Sequence, residues 1–346
     1  CIEQRLAFHF TPGVYSSFLR PQRCAYRRNC RPQAVDHSAM ALASLLMRAE
    51  AGYGAVWEQA GVDIDGAMGR FASDPDKHGD LRFSGRHGYL LLQKTPAAME
   101  GAQAGLALRR KHLGPQLCMD CLSLPEVQEL EPNLADSAAR GGAVWFPDGW
   151  FLREPGALLR ALADGFVRRG GVVQAGEDGD VRQLSQGQDA LRLQLGESGR
   201  RSLEVDQVVV AAGAHSASLA ASVGDWCPLD TERGHHVSWG EGSEAVFTRA
   251  VCDPSQGFIS TPMAAGLRSA GTVELGGVHA GLTPARCDQL DRATAGLLRP
   301  EAAAALGSRN RAADWLGFRP TMPDALPVIG RSSKVPEVIY AFGHQH

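Results

Sequence analysis

Gln207-Val-Val-Val-Ala-Ala-Gly-Ala-His-Ser216 decides the fold. A continuous apolar run closed by a glycine is the pattern of a strand buried on both faces of a parallel sheet, and the small residues from Ser216 onward predict a helix. In open α/β sheets, ligands sit beyond the carboxyl ends of the strands. There a glycine lets the backbone come close, and the next helix presents N–H groups. Ala212 and Gly213 therefore stand where a nucleotide would lie.

Upstream, three alternating runs near Val181 to Leu184, Leu191 to Leu195 and Leu203 to Val205 are separated by turns containing glycine and predict an antiparallel meander. Before them, Pro155 opens a helix with Leu158, Leu159, Leu162 and Phe166 on one face, closed by Gly170 and Gly171, after which Val172 and Val173 begin a strand. Tyr89 to Leu92 and Ala143 to Phe146 read as strands. Thr95 with Pro96 opens a helix running towards His112 and Gly114, and Ser123 with Glu126 matches a capping box. From Leu42 to Ala60 apolar residues recur at the spacing of one helical face, with Gly61 as the stop. Downstream of residue 227 the texture changes to strands and turns at His235 to Trp239, Phe258 to Thr261, Leu267 to Leu275, Trp315 to Arg319 and Val338 to Phe342. A helix opened by Thr283 and Pro284 interrupts them.

The formal charge of −3, from 35 Lys+Arg against 38 Asp+Glu, argues against nucleic acid or an anionic membrane as a general electrostatic partner and favours a small-molecule site. Eight cysteines are too sparse and irregular for a disulfide framework, so a reducing compartment, the cytoplasm, is expected. No apolar run approaches the about 20 residues that cross a bilayer, so no integral span is expected, and any association with an inner membrane would be peripheral. Residues 1–32 differ from the rest, with six arginines, three cysteines and the single acid Glu3. They read as a truncated or mis-framed gene start rather than as a transit peptide.

Five segments resemble the D-amino-acid dehydrogenase and glycine oxidase family of FAD-dependent oxidoreductases. Val208-Val-Val-Ala-Ala-Gly-Ala-His-Ser216 resembles the strand and turn beside the adenine nucleotide, with His215 where tryptophan is commoner. Pro228-Leu-Asp-Thr-Glu-Arg-Gly-His-His-Val237 resembles the lead into the substrate domain, with His235 where tyrosine is expected. Gly271-Thr-Val-Glu-Leu-Gly-Gly277 and Gly317-Phe-Arg-Pro-Thr-Met-Pro-Asp-Ala-Leu-Pro-Val-Ile-Gly330 resemble two further stretches. Tyr340-Ala-Phe-Gly-His-Gln-His346 resembles the closing flavin loop, with Gln345 where glycine is usual.

The resemblance implies an α/β (α+β) fold in which an FAD/NAD(P)-binding Rossmann-like domain, incomplete at its N-terminus, is interleaved with a mixed-sheet substrate domain. On that reading, residues 1–36 are an atypical segment and residues 37–150 are mostly substrate or cap domain. Residues 151–226 are the remainder of the FAD-binding domain with its meander, 227–320 the substrate sheet, and 321–346 the return to the FAD-binding domain. It also implies FAD as cofactor, with backbone at Val181 meeting the adenine and Gly330, Gly343 and His344 near the isoalloxazine ring. Arg319 is implied to grip a substrate carboxylate, for which a planar guanidinium is suited. No catalytic residue is assigned, because the flavin carries the chemistry. The substrate is a small amino acid or amine, and the electron acceptor, quinone or oxygen, stays open.

Other constellations carry less. His235, His236, His344 and His346 do not make a metal site, since adjacent histidines point apart on a strand and no carboxylate completes the spacing. Cys118-x-x-Cys121 has no second pair, and Gly-Ala-His-Ser216 is not a nucleophile elbow. The sequence departs from the family where the cofactor binds. No Gly-x-Gly-x-x-Gly follows a first strand, no acidic residue ends a second strand, and no flavin loop precedes residue 37. The chain also stops at His346, where the family continues into a helix. Three readings remain: oxidative deamination of a D-amino acid, a non-catalytic remnant that binds no FAD, and a sarcosine or glycine oxidase relative.

Overall fold

The structure, a computed structural model, describes residues 9–10, 29–61, 84–85, 88–115, 117–149 and 151–345. Most of the atypical segment 1–36 and the terminal His346 thus lie outside the described residues. The strands are β1 (His9–Phe10), β2 (Ser84–Gly85), β3 (Tyr89–Leu92), β4 (Asp120–Leu122), β5 (Ala143–Phe146), β6 (Phe151–Leu152), β7 (Val181–Gln186), β8 (Leu191–Leu195), β9 (Arg201–Val205), β10 (Val208–Val210), β11 (Asp230–Ser238), β12 (Ala250–Asp253), β13 (Phe258–Met263), β14 (Gly266–Leu275), β15 (Trp315–Thr321), β16 (Val328–Arg331) and β17 (Val338–Phe342). The α-helices are α1 (Pro32–Ala60), α2 (Pro96–Leu113), α3 (Leu124–Leu130), α4 (Pro155–Arg168), α5 (Ser216–Ser222), α6 (Pro284–Ala295) and α7 (Pro300–Leu306).

A large mixed sheet runs in the order β15-β11-β14-β13-β12-β3-β5-β4, with β1 against β14. Its pairs are antiparallel except β12 with β3 and β1 with β14. It joins strands from before residue 147 to strands from after residue 229, which explains why the texture on either side of the meander reads alike. Leu90, Leu92, Val237, Leu267, Leu290 and Leu297 form the centre of its core, where α6 closes one face of β11 and β14. Each such side chain contributes about 1.5–3 kcal/mol through burial.

A second, smaller sheet has the order β10-β17-β16, with β10 parallel to β17 in the register Val208 to Val338 and Val210 to Tyr340. The meander β7-β8-β9 packs against it through Leu184, Leu191, Leu193 and Leu195, which share a core with Val210, Val338 and Phe342. Leu184 N–H donates to Ser222 Oγ at 3.0 Å, fastening the meander to α5.

The local punctuation acts as its chemistry requires. Thr95 caps α2 by accepting from Ala98 N at 3.1 Å, and Glu126 accepts from Ser123 N at 2.7 Å in the capping box of α3. Gly61 ends α1 in the left-handed region with φ +64°.

Three expectations are corrected. α1 begins at Pro32, well before Leu42, because proline at the first helical position starts the helix outside its periodic stretch. Val172 and Val173 form no strand and are exposed, since no described strand lies beside them to take their backbone hydrogen bonds. β10 is parallel as its composition demands, yet Val209 is 60% exposed, because it points to the face opposite Val208 and Val210, which the shared core takes. The apolar faces of α1 and α4 are likewise only partly covered: Trp57, Ala60 and Leu158 are buried together, while Leu46, Val56, Leu159 and Phe166 are exposed. No described helix is long and apolar enough to cross a membrane.

Candidate substrate and nucleotide site

β11 and β15 pair without interruption from Asp230 opposite Thr321 to His236 opposite Trp315. Alternation along the strands therefore puts Glu232, Gly234 and His236 on one face beside Arg319, Gly317 and Trp315. His236 and Trp315 stack with ring centroids 4.9 Å apart. Arg319 leans across its partner strand: a Cβ at Gly234 would strike its guanidinium. Glycine at 234 is thus the space that lets the arginine lie flat on the sheet.

Arg319 is held by carbonyls. Its Nη1 donates to Thr272 O at 3.1 Å and to Glu232 O at 3.5 Å, the second a marginal bond. Thr272 has φ +63° and sits where the register of β11 against β14 shifts between Arg233 and His235. This bulge redirects the Thr272 carbonyl. Beneath it, Thr283 N–H donates to His235 Nε2 at 3.3 Å, which fixes the proton on Nδ1 and makes Thr272 Oγ1, 3.1 Å away, its acceptor. Burial, more than the neighbouring Arg233, pushes the His235 pKa down to about 4, so the ring is neutral at pH 7. His235 therefore steadies the bulge that steadies Arg319.

Behind this face, Arg233 and Glu274 form a buried pair at 3.6 Å, and Thr283 Oγ1 donates to Glu274 Oε1 at 3.1 Å. On the face itself, burial lowers the Arg319 pKa while Glu232 opposes the shift, and burial raises the Glu232 pKa against the influence of Arg319 and a hydrogen bond from Gln345. Arg319 and Glu232 make no ion pair.

The nucleotide candidates gather at the edge of this site. β10 and β17 are parallel, so Ala212 and Gly213 leave the sheet at the same end as Gly343 and His344. Gly213 has φ +55° and open space where a Cβ would stand. Gly343 has φ +81°, and a Cβ there would come 2.9 Å from Met322 Cγ. Two contacts join this end to the arginine strand. His215 meets Phe318 edge to face at 6.4 Å, and Gln345 N–H donates to Pro320 O at 3.2 Å. Gln345 adopts φ +66°, the left-handed region in which glycine is relaxed.

Val181 opens β7 opposite Leu195 in the meander, and Gly330 sits within β16 opposite Tyr340 rather than at the strand ends. Sequence reasoning missed Glu232, Thr272 and the supporting part of His235. The alternation Glu232-x-Gly234-x-His236 would have flagged Glu232, whereas the bulge at Thr272 has no sequence signal.

The described residues fit a flavin nucleotide at these strand ends, where Gly213 leaves a backbone approach open. Among them no glycine-rich turn leads from a parallel strand into a long helix, so no diphosphate cradle is identified. No group of three metal-ligating side chains occurs among the described residues, and Cys118 and Cys121 are exposed thiols.

Comparison with known proteins identifies the family. The profile of a family described as FAD dependent oxidoreductase matches residues 75–346. Over 225 residues the chain is 33% identical to a D-amino-acid oxidase of Bradyrhizobium diazoefficiens, covering 65% of this chain and 51% of that protein. Over 271 residues it is 30% identical to D-amino acid dehydrogenase 2 of Ralstonia nicotianae, covering 73% and 59% respectively. The chain spans about half the length of the curated relatives it matches. Among solved structures, glycine oxidase from Geobacillus kaustophilus superposes with a TM-score of 0.64 at 20% identity, over 99% of this chain and 77% of that one. This likeness shows a shared fold.

Proposed function

The chain belongs to the family of FAD-dependent oxidoreductases, and on that premise we propose that it serves the oxidative deamination of a D-amino acid, with Arg319 receiving the substrate carboxylate. The observation that carries this reading is the state of Arg319. Its guanidinium is laid over Gly234 and anchored through Nη1 to carbonyl oxygens alone. A carbonyl-anchored arginine is oriented without being neutralised, which leaves its remaining N–H groups for a carboxylate.

FAD, when bound, supplies the hydride acceptor for the substrate α-carbon, and the resulting imine hydrolyses to a 2-oxo acid and ammonia. The protein's task is then to hold and orient the substrate. Arg319 fixes the carboxylate, and the chain Thr283, His235 and Thr272 keeps the arginine in place. Ala212, Gly213, Gly343 and His344 would lie against the cofactor. The names of the curated relatives support a D-amino acid as substrate. The relation to glycine oxidase supports the narrower alternative of a small amine through fold alone.

The test is a flavin absorption spectrum of the purified chain after desalting, followed by turnover of D-amino acids with oxygen or a soluble quinone as acceptor. Retained flavin absorption and deamination that falls sharply in Arg319→Leu are expected. Absence of flavin after reconstitution with FAD would establish the non-catalytic reading instead.

A further inference from the structure

We propose that Glu232 is the specificity-determining residue for the substrate's amino group, so that Arg319 and Glu232 together clamp the two ends of an α-amino acid. The inference rests on the carboxylate role given to Arg319 above. The two residues are direct cross-strand partners, with Glu232 opposite Arg319 in the register of β11 and β15. Opposite charges so placed ordinarily pair, since their Cβ atoms stand roughly 4.5–5.5 Å apart. Here they do not. Arg319 is drawn sideways over Gly234 and onto Thr272 O and makes no ion pair with the carboxylate of Glu232.

Both groups bear the consequence of burial without a contact partner of opposite charge: the guanidinium is shifted down and the carboxyl up. Leaving two half-buried charges apart is costly unless something else completes them. An α-amino acid does so, because its carboxylate accepts from the Arg319 fork while its amino N–H groups, on the adjacent carbon, donate to Glu232. Gln345 in the closing loop acts on Glu232 against the effect of burial, and its backbone is tied to Pro320, the neighbour of Arg319. The acid and the base of the clamp are thus referenced to one another through a single short segment.

The clamp predicts rejection of carboxylates that lack an amino group, because such a ligand leaves the half-buried Glu232 carboxylate without a counter-charge. Isothermal titration of the full chain in the presence of FAD would compare D-leucine with 4-methylpentanoate, its counterpart without the amino group, and with D-2-hydroxy-4-methylpentanoate. The expected result is that D-leucine binds at least about tenfold more tightly than either, a difference of about 1.4 kcal/mol. In Glu232→Gln the gap should close, with 4-methylpentanoate binding unchanged. Persistence of the gap in that variant overturns the inference, as does hydroxy acid binding equal to D-leucine in the unsubstituted protein, a comparison that needs no variant to fold. If the unsubstituted protein binds none of the three acids, the carboxylate role of Arg319 fails and Glu232 falls with it. Binding of both D-leucine and 4-methylpentanoate with an unaltered gap in Glu232→Gln sinks only the role of Glu232.

Discussion

The guanidinium of Arg319 occupies the space in which any side chain at position 234 would begin. A strand glycine is usually a weakness, for it brings no packing and loses more entropy than other residues on folding. Between β11 and β15 it is instead the condition for a long cation to lie across the sheet and reach the carbonyl of Thr272.

Gly234→Ala is accordingly expected to displace Arg319 while leaving both strands paired. Overpacking of this kind costs about 1–3 kcal/mol. Affinity for a D-amino acid should fall at least about tenfold, while a simple amine without a carboxylate is unaffected. Parallel titrations of D-leucine and 3-methylbutylamine check this, and equal losses on both would show that the glycine serves only the backbone.

The low pKa of His235, about 4, and the similar value of His236, about 4, where burial is again the main cause, link stability to pH. Each ring binds its proton less readily folded than unfolded, so between about pH 6.5 and pH 4 the unfolded chain holds more protons. The stabilisation is therefore complete above pH 6.5 and is lost as pH falls towards 4. Each ring contributes a slope of at most about 1.4 kcal/mol per pH unit. Chemical denaturation at pH 7 and pH 5 should show the loss, and His236→Gln should reduce the difference. An unchanged difference in that variant would assign the slope to other groups.

Arg309 is the hub of a separate ion network, bonded to Asp288 at 2.9 Å, Asp291 at 3.0 Å and Asp314 at 3.0 Å while being 2% exposed itself. Arg309→Met would leave three carboxylates facing one another between α6 and the start of β15. A destabilisation of about 1–3 kcal/mol is expected, below the range for a fully buried pair because Asp288 and Asp291 stay about a third exposed. The deficit should shrink at pH 4, where the carboxylates take up protons, and a deficit independent of pH would point to lost packing instead.

Val209 and Val210 offer a contrast within one strand, since Val210 is buried and Val209 is bare. Val210→Ala should cost about 2 kcal/mol through lost burial and a cavity. Val209→Ser should stay within about 0.5 kcal/mol, as for exposed positions generally. Thermal melting separates the two, and a large loss at Val209 would mean that the outer face of β10 is covered in solution.

Element by element, the sequence carried its own instructions where the signal is local. Apolar alternation set β7 to β9, Thr95 and Ser123 opened their helices, and the apolar run ending at Gly213 produced a parallel strand. These depend on backbone preferences and hydrogen bonds within a few residues, which the order of side chains dictates directly. Arg319 was singled out only through its resemblance to a family pattern, since an isolated arginine before a proline has no distinctive periodicity. What the tertiary structure alone decided is how Arg319 is held. The bulge at Thr272, the tautomer of His235 and the setting of Arg319 opposite Glu232 without an ion pair arise from pairing among β11, β14 and β15, strands separated by dozens of residues. The exposure of Val209 and the missing strand at Val172 belong to the same class, for burial and pairing are properties of neighbours, and a chain read alone does not name them.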